Sequence, residues 1–537
     1  MAAGLDRVFV PIVLATFVLS VFSYSFQMTS FLHAKLAVLC AGAVAMAVVS
    51  LFGRGMGWRG FGALAPLWAL VALWLARLIA SPVRVPSDAV VILIHAALLL
   101  TVAGFSAEHV QMARRLDLVA KTAALSGAAV ALLGILQFSG LLPVLFPPFP
   151  EYGQRMYGVF GNQNLTGGFI AATLPLLFRQ ATVAAPGWFR RAWFAALLVA
   201  LAGVLLSESR SAWLAGIVGV IAAWAAQESG PSRMKWIAAG MAAFVFMIAA
   251  AFPQSTFRRI PQTAGVQSRL AMWQAAIGMA RDHPLIGVGP GQYAYWSPSY
   301  IGRQGTQTIM PKDAIERHAD QPHSEPLRLL AETGMPGLLC CVWMAAEWFR
   351  RARGPAAWIA AGPLAALLTF SLFNGILESV PHSLTLLIFL AVPLLDKSPS
   401  TRGSRIAAIP VAAAALFLTW AVVVPSVMIR KAQDVQLDNS EASLEYYARA
   451  VAWPWPNAAA HRAHAIALAE SGRDMEARRE FQRALEGLDT GDIHLGLALV
   501  AYRLGDSNAA RRHAEDCLRR WPACADAARL AGADLTR

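Results

Sequence analysis

Three side chains in this 537-residue chain are of types that do chemistry where water meets an apolar phase: His323, Arg210 and Arg269. His323 opens the run His323-Ser-Glu-Pro-Leu-Arg-Leu-Leu-Ala-Glu-Thr-Gly334, at the end of a polar stretch from Phe252 to Gly334. An imidazole with a reference pKa of about 6.5 is neutral at physiological pH and accepts a proton from a hydroxyl. Arg210 lies in Ser207-Glu-Ser-Arg-Ser-Ala-Trp213, a very short connection between two apolar runs. A guanidinium is permanently charged and presents a planar fork to oxyanions. Arg269 lies in Ser268-Arg-Leu-Ala-Met-Trp-Gln274, which reads as an amphipathic helix ahead of the Gly/Pro turn His283-Pro-Leu-Ile-Gly-Val-Gly-Pro-Gly-Gln292. Each has a structural alternative. His323 can be an ordinary structural histidine, Arg210 a headgroup anchor or the partner of Glu208, and Arg269 a solvated helix-face charge.

Two further groups belong in the same inventory. Asn162 and Asn164, in Tyr157-Gly-Val-Phe-Gly-Asn-Gln-Asn-Leu-Thr-Gly-Gly168, carry amides suited to sugar hydroxyls or phosphate oxygens. A turn that caps the next helix through Asn164 explains the run equally well. Glu332 follows His323 by nine residues, out of phase on one helix, so it reaches another Arg or caps a neighbour rather than facing His323. Gly287, Gly289 and Gly291 do not form a nucleotide loop, because no strand precedes them and no Lys-Ser/Thr pair follows.

The elements that must position these residues are membrane helices. The chain is 57% hydrophobic and 14% charged, with mean hydropathy +0.50, against about 25% charged in soluble domains. Apolar runs at 8–26, 31–52, 61–80, 88–105, 118–138, 165–178, 192–206, 212–226, 236–252, 335–348, 356–374, 381–395 and 406–428 predict about 12–13 spans. The first is too long for a signal-peptide core and is expected to be retained. The net charge of +13 is spread over alternate loops, at Arg54 and Arg59, Arg114 to Lys121, Arg179 to Arg191, Arg233 and Lys235, Arg350 to Arg353, and Lys397 to Arg405. This positive-inside pattern puts the N-terminus in the cytoplasm and loop 253–333 outside. A charge dispersed in this way forms no nucleic-acid patch. Cys40, Cys340 and Cys341 read as small core residues, pairing of Cys517 with Cys524 stays open, and no Cys/His spacing reads as a metal site.

The composition therefore divides the chain into a polytopic membrane domain at 1–428 and a helical tail at 429–537 rich in Ala, Arg and Glu. In the tail, Gly472 aligns with Gly505 and Ala477 with Ala510 at an offset of 33, while Trp453-Pro and Trp521-Pro lie 68 apart. That period resembles tetratricopeptide repeats; a plain helical bundle is the alternative. The span at 406–428 is expected to carry this tail outside, as an interaction domain for a protein partner.

Taken in order, "FGNQNLTGGF", "SESRSAWLAG", "SRLAMWQAAI…HPLIGVGPGQY" and "HSEPLRLLAETGMPG" resemble the O-antigen ligase/polymerase superfamily over roughly residues 150–395. That group takes in lipid A core–O-antigen ligases, O-antigen polymerases and protein O-oligosaccharyltransferases. Gln163 stands where many members have Pro. The resemblance implies an all-α polytopic fold of the glycosyltransferase C type in the bacterial inner membrane, with a periplasmic site and no metal or other cofactor. It makes His323 the essential base, gives Arg210 and Arg269 contacts to a lipid diphosphate, and leaves Asn162, Asn164 and Glu332 as candidate substrate contacts. The donor it implies is an undecaprenyl-diphosphate-linked glycan, and the acceptor lipid A core, another glycan or a protein. A transporter or flippase of lipid-linked glycan is the alternative from another class. Against it, the spans are mostly clean, no repeat of halves is apparent, and the charges gather at one face.

Overall fold

The structure is a computed structural model that describes residues 2–24, 30–53, 55–110, 113–143, 145–146, 156–227, 264–303, 319–395, 403–436, 440–521 and 524–532. Its regular elements are helical; among the described residues the only extended pairing is an isolated bridge between Met56 and Ser404. The membrane part comprises α1 (Ala2–Phe22), α2 (Phe31–Phe52), α3 (Arg59–Ala63), α4 (Ala65–Ala80), α5 (Pro86–Val110), α6 (Ala113–Phe138), α7 (Gln163–Val183), α8 (Trp188–Leu206), α9 (Arg210–Gln227), α10 (Ala264–Asp282), α11 (Tyr293–Arg303), α12 (Glu325–Arg351), α13 (Gly354–Ser371), α14 (Val380–Ala391) and α15 (Ala408–Gln436). A helix is the form an apolar run must take in lipid, because it satisfies its backbone groups within the segment.

Among the described residues, seven helices are long and apolar enough to cross a membrane, and four shorter apolar helices accompany them. The chain is an all-α, multi-pass membrane protein. The expected span 236–252 lies outside the described residues. The runs at 165–178, 192–206 and 335–348 belong to longer helices, α7, α8 and α12. Hydropathy registers the apolar middle of a helix and not the polar turns at its ends.

Successive helices run up and down, so the connections sort to two ends. At one end Arg405 Nε donates to Gly53 O at 3.1 Å, Arg351 Nη2 to Leu394 O at 2.9 Å, and Arg179 Nη1 pairs with Asp117 at 3.2 Å. At the other, Lys35 Nζ caps the end of α1 through Ser20 O, Val21 O and Ser23 O at 3.2, 2.7 and 2.9 Å. Here too Gln292 Oε1 accepts from Val85 N at 2.9 Å. The second end also carries the turn before α9 and the approach to α12, where the sequence located its chemistry.

α12 is kinked at Gly334, whose φ of 67° and ψ of −164° interrupt the helix. The kink frees carbonyls that the Gly/Pro turn then uses: Val288 N donates to Ala331 O at 2.9 Å and Gly289 N to Glu332 O at 3.0 Å, while Met335 N donates to Pro284 O at 2.8 Å. A Cβ on Gly334 would collide with Pro284 O, and one on Gly287 with the Glu332 carbonyl. The turn read from sequence as Gly/Pro-rich is therefore a close-packed brace for the kinked helix.

The tail comprises α16 (Ser440–Val451), α17 (Ala458–Glu470), α18 (Asp474–Gly487), α19 (Gly491–Arg503), α20 (Ser507–Arg520) and α21 (Ala525–Gly532). The starts of α17 and α19, and of α18 and α20, are 33 residues apart. Gly472 and Gly505 turn each hairpin at φ of 73° and 77°. Cys517 and Cys524 are buried in a small cluster with Ala498, Ala514 and Ala527. The boundary expected at 428 falls inside α15, which runs on to Gln436. Phe417 and Trp420 of α15 stack edge-on and tilted against Trp453 and Trp455, with Trp453 Nε1 donating to Trp420 O at 2.9 Å. The tail is thus joined to the membrane part both covalently and by an aromatic cluster.

Candidate functional site

α8 ends at Leu206 and α9 begins at Arg210, so Ser207, Glu208 and Ser209 make the whole connection. The turn is fixed locally. Ser207 Oγ donates to Val204 O at 2.7 Å and accepts from Ser209 N at 3.3 Å, and Trp213 Nε1 donates to the same Val204 O at 2.8 Å. Glu208 holds φ at 52°. From the α13–α14 connection, Asn374 Nδ2 donates to Ser211 Oγ at 2.7 Å. Arg210 is left exposed at the first position of α9, and no ion pair joins it to Glu208 among the described residues.

Arg269, on α10, is half-buried and donates through Nη1 to Phe373 O at 3.0 Å. One turn further on, Trp273 Nε1 donates to Pro322 O at 2.9 Å, immediately before His323. His323 holds φ at 51° and precedes Ser324, the N-cap residue of α12. Among the described residues, Glu208 and His323 are the only non-glycine residues with positive φ. Such conformations cost on the order of 1–3 kcal/mol each and persist where the surroundings over-determine them.

The electrostatics link the residues pairwise, Arg210 with Arg269 and Arg269 with His323. Burial, and next the Arg210 charge, lower the Arg269 pKa. Burial, and next the Arg269 charge, hold the His323 imidazole below its ordinary value, with Asp320 and Glu378 pulling it up. The lowered pKa favours the neutral imidazole at physiological pH.

A further cation at this end, Arg328, was not singled out from the sequence. Arg328 is 5% exposed. Its Nη1 donates to Glu378 Oε1 at 2.6 Å, and its Nε lies 3.6 Å from Glu325 Oε2 and 3.9 Å from Glu332 Oε2. The spacing Glu325, Arg328, Glu332 at i, i+3 and i+7 was legible as a one-face charge ladder; Glu378 comes from the α13–α14 connection and was not. Glu325 Oε1 also accepts from Ile376 N at 2.8 Å and Leu377 N at 2.9 Å, which pins that connection to the start of α12.

The other expected contacts divide. Glu332 is 1% exposed; its Oε1 accepts from Tyr293 N at 3.4 Å and it faces Arg328, so it both reaches an Arg and caps α11. In the Asn pair the cap is Asn162 rather than Asn164: Asn162 Oδ1 accepts from Asn164 N at 2.8 Å and Leu165 N at 3.2 Å. The first residue of the pair is the one with extended backbone, and only there can the side chain reach forward to the free N–H groups. His382, also missed, is fully buried; its Nδ1 lies 2.7 Å from Ser379 Oγ and its Nε2 3.1 Å from Leu165 O, so it ties α14 to α7.

The O-antigen ligase family model matches residues 195–342. The match supports a relation of this stretch to the O-antigen ligase/polymerase superfamily. No curated protein matches the chain. The O-antigen ligase stretch contains Arg210, Arg269, His323, Arg328 and Glu332, whereas Asn162, Asn164, Glu378 and the tail lie beyond it. The family supports ligase- or polymerase-type glycosyl transfer, with lipid-linked glycan and acceptor substrates in a membrane.

Proposed function

We propose that the chain transfers a glycan from undecaprenyl diphosphate to an acceptor hydroxyl, with His323 as the base and Arg210 and Arg269 as the diphosphate clamp. The observation that carries this reading is geometric: Asn374 holds the Arg210 turn through Ser211, the adjacent Phe373 carbonyl accepts from Arg269, and Trp273, one turn on from Arg269, donates to Pro322 next to His323. In this reading the His323 end faces the periplasm of a bacterial inner membrane, because Arg115, Lys121, Arg179, Arg190, Arg350 and Arg405 belong to the opposite end. The tail, read as tetratricopeptide-like, then lies on the periplasmic side.

The step is a displacement at the anomeric carbon. The acceptor oxygen forms the new C–O bond as its proton passes to His323. The bond from the anomeric carbon to the diphosphate oxygen breaks, and that oxygen leaves with the electron pair. Attack opposite the leaving group inverts the anomeric centre. Negative charge grows on the diphosphate, where two fixed guanidiniums stabilise the transition state more than the ground state. A base with a lowered pKa stays unprotonated below neutrality, and such a base contributes about 10²–10⁴-fold.

The test is acceptor-dependent release of undecaprenyl diphosphate from a lipid-linked glycan by the full chain in liposomes. His323→Ala is expected to abolish release and leave folding intact. Undiminished release in that variant would remove His323 from the mechanism. ATP- or gradient-driven movement of the intact lipid-linked glycan, without release, would favour a flippase.

A further inference from the structure

A cavity of about 480 Å³ is lined by Asp320, three residues before His323, and by Glu378. Its floor is the membrane part, with Asp88 of α5, Asp320, and Arg328 and Glu332 of α12, beside Glu378. Its roof is the tail: Trp455, Pro456 and Asn457 ahead of α17, then Ala459, Arg462 and Ala463. The volume lies within the roughly 300–1,000 Å³ typical of small-molecule sites. The same Asp320 and Glu378 carboxylates that line it also act on His323. Three buried polar atoms on its lining residues make no hydrogen bond with a described residue: Arg328 Nε, Glu332 Oε2 and Trp455 Nε1. Arg328 and Glu332 are 5% and 1% exposed and ion-paired at 3.9 Å, beyond hydrogen-bond distance, so these atoms keep unused hydrogen-bonding capacity.

We propose that this cavity is the acceptor site, that it takes a neutral saccharide, and that the tail supplies its roof. This rests on the transferase reading above. The argument is one of charge and surface. Asp88, Asp320, Glu332 and Glu378 line the cavity together with Arg328 and Arg462, a mixed set that offers acceptors and donors to hydroxyls, whereas Arg210 and Arg269 have no carboxylate partner among the described residues and suit the diphosphate. Donor and acceptor are thereby assigned to different sets of residues around the one base that both must meet. Trp455 adds an aromatic edge to a chamber lined by both charged and apolar side chains, the combination that suits a polyhydroxylated ring with both apolar and hydroxylated faces. The tail is then part of the substrate-binding machinery and not only a docking module.

The test uses the full chain in liposomes, a saturating lipid-linked glycan as donor, and the free oligosaccharide released from that donor as acceptor. Trp455→Ala is expected to raise the acceptor concentration for half-maximal rate about tenfold, with the donor dependence within twofold of the parent. Ala459→Trp, at an exposed position where it fills the chamber without removing a polar group, is expected to do the same or more. Calorimetric titration of the free oligosaccharide into donor-free protein is expected to show binding that Ala459→Trp removes. Equal acceptor dependence and equal binding in parent and both variants would overturn the proposal. So would transfer to a Ser/Thr peptide that the oligosaccharide does not inhibit. Binding that Ala459→Trp abolishes, with no transfer to any acceptor in the parent, would keep the saccharide site and overturn the transferase reading instead.

Discussion

Two arginine clusters lie at the same end of the bundle and are built on opposite principles. Arg328 is enclosed by Glu325, Glu332 and Glu378, nearly sealed from solvent, and held on a long helix. Arg210 and Arg269 have no carboxylate partner among the described residues and stand close enough for one to lower the pKa of the other. A charge surrounded by counter-charges is committed to the fold. Two like charges held together cost energy until an anion arrives. The second arrangement stores what an anionic ligand would release, and it is bordered by the two strained residues, Glu208 and His323.

If the contrast is right, substitutions on one side reduce rate without melting the protein, and substitutions on the other melt it. The largest effect is expected for His323→Ala, a fall of about 10²–10⁴-fold in transfer with unchanged thermal unfolding, because only the base is lost. In the parent, transfer is expected to be constant above neutrality and to decline as pH falls through a value below 6.5, since only the neutral imidazole accepts a proton and its pKa is lowered. A decline centred above 6.5 would contradict the burial and the Arg269 charge.

Arg328→Met comes next. Removing the cation leaves three carboxylates facing one another, and breaking such a buried network costs about 3–5 kcal/mol. Thermal unfolding in detergent is the measurement, and an unchanged midpoint would erase the distinction between the clusters. Arg210→Lys is expected to reduce transfer about tenfold with normal stability, because a point charge cannot reproduce a bidentate fork. The smallest effect lies in the tail: Gly472→Ala meets no atom but forces a side chain to φ of 73°. It is expected to cost about 1 kcal/mol in tail unfolding and nothing in rate.

Legibility followed physical range. Most apolar runs returned as helices, since a spanning segment satisfies its own backbone and needs no partner to be recognised. The turn at 207–209 was legible as short, and the Gly/Pro turn as a turn, but not that the latter hydrogen-bonds to the kink in α12. The ladder Glu325–Arg328–Glu332 was present in the sequence; its closure by Glu378 was not, because that residue arrives from another connection. Asn162 and Asn164 could not be ranked as caps until the backbone of each was known.

The sequence by itself determined the class, an all-α chain of apolar helices with a polar tail, and it selected His323, Arg210 and Arg269 by residue type and neighbours. These are properties of local composition and of helical period. Only the tertiary structure decided that Phe373 and Asn374 link Arg269 to the turn before Arg210, that Arg328 is enclosed by carboxylates from two elements, and that tail residues line a cavity with Asp320 and Glu378. Those outcomes depend on side chains from helices far apart in the chain, and the separation between them is set by packing, which no single segment encodes.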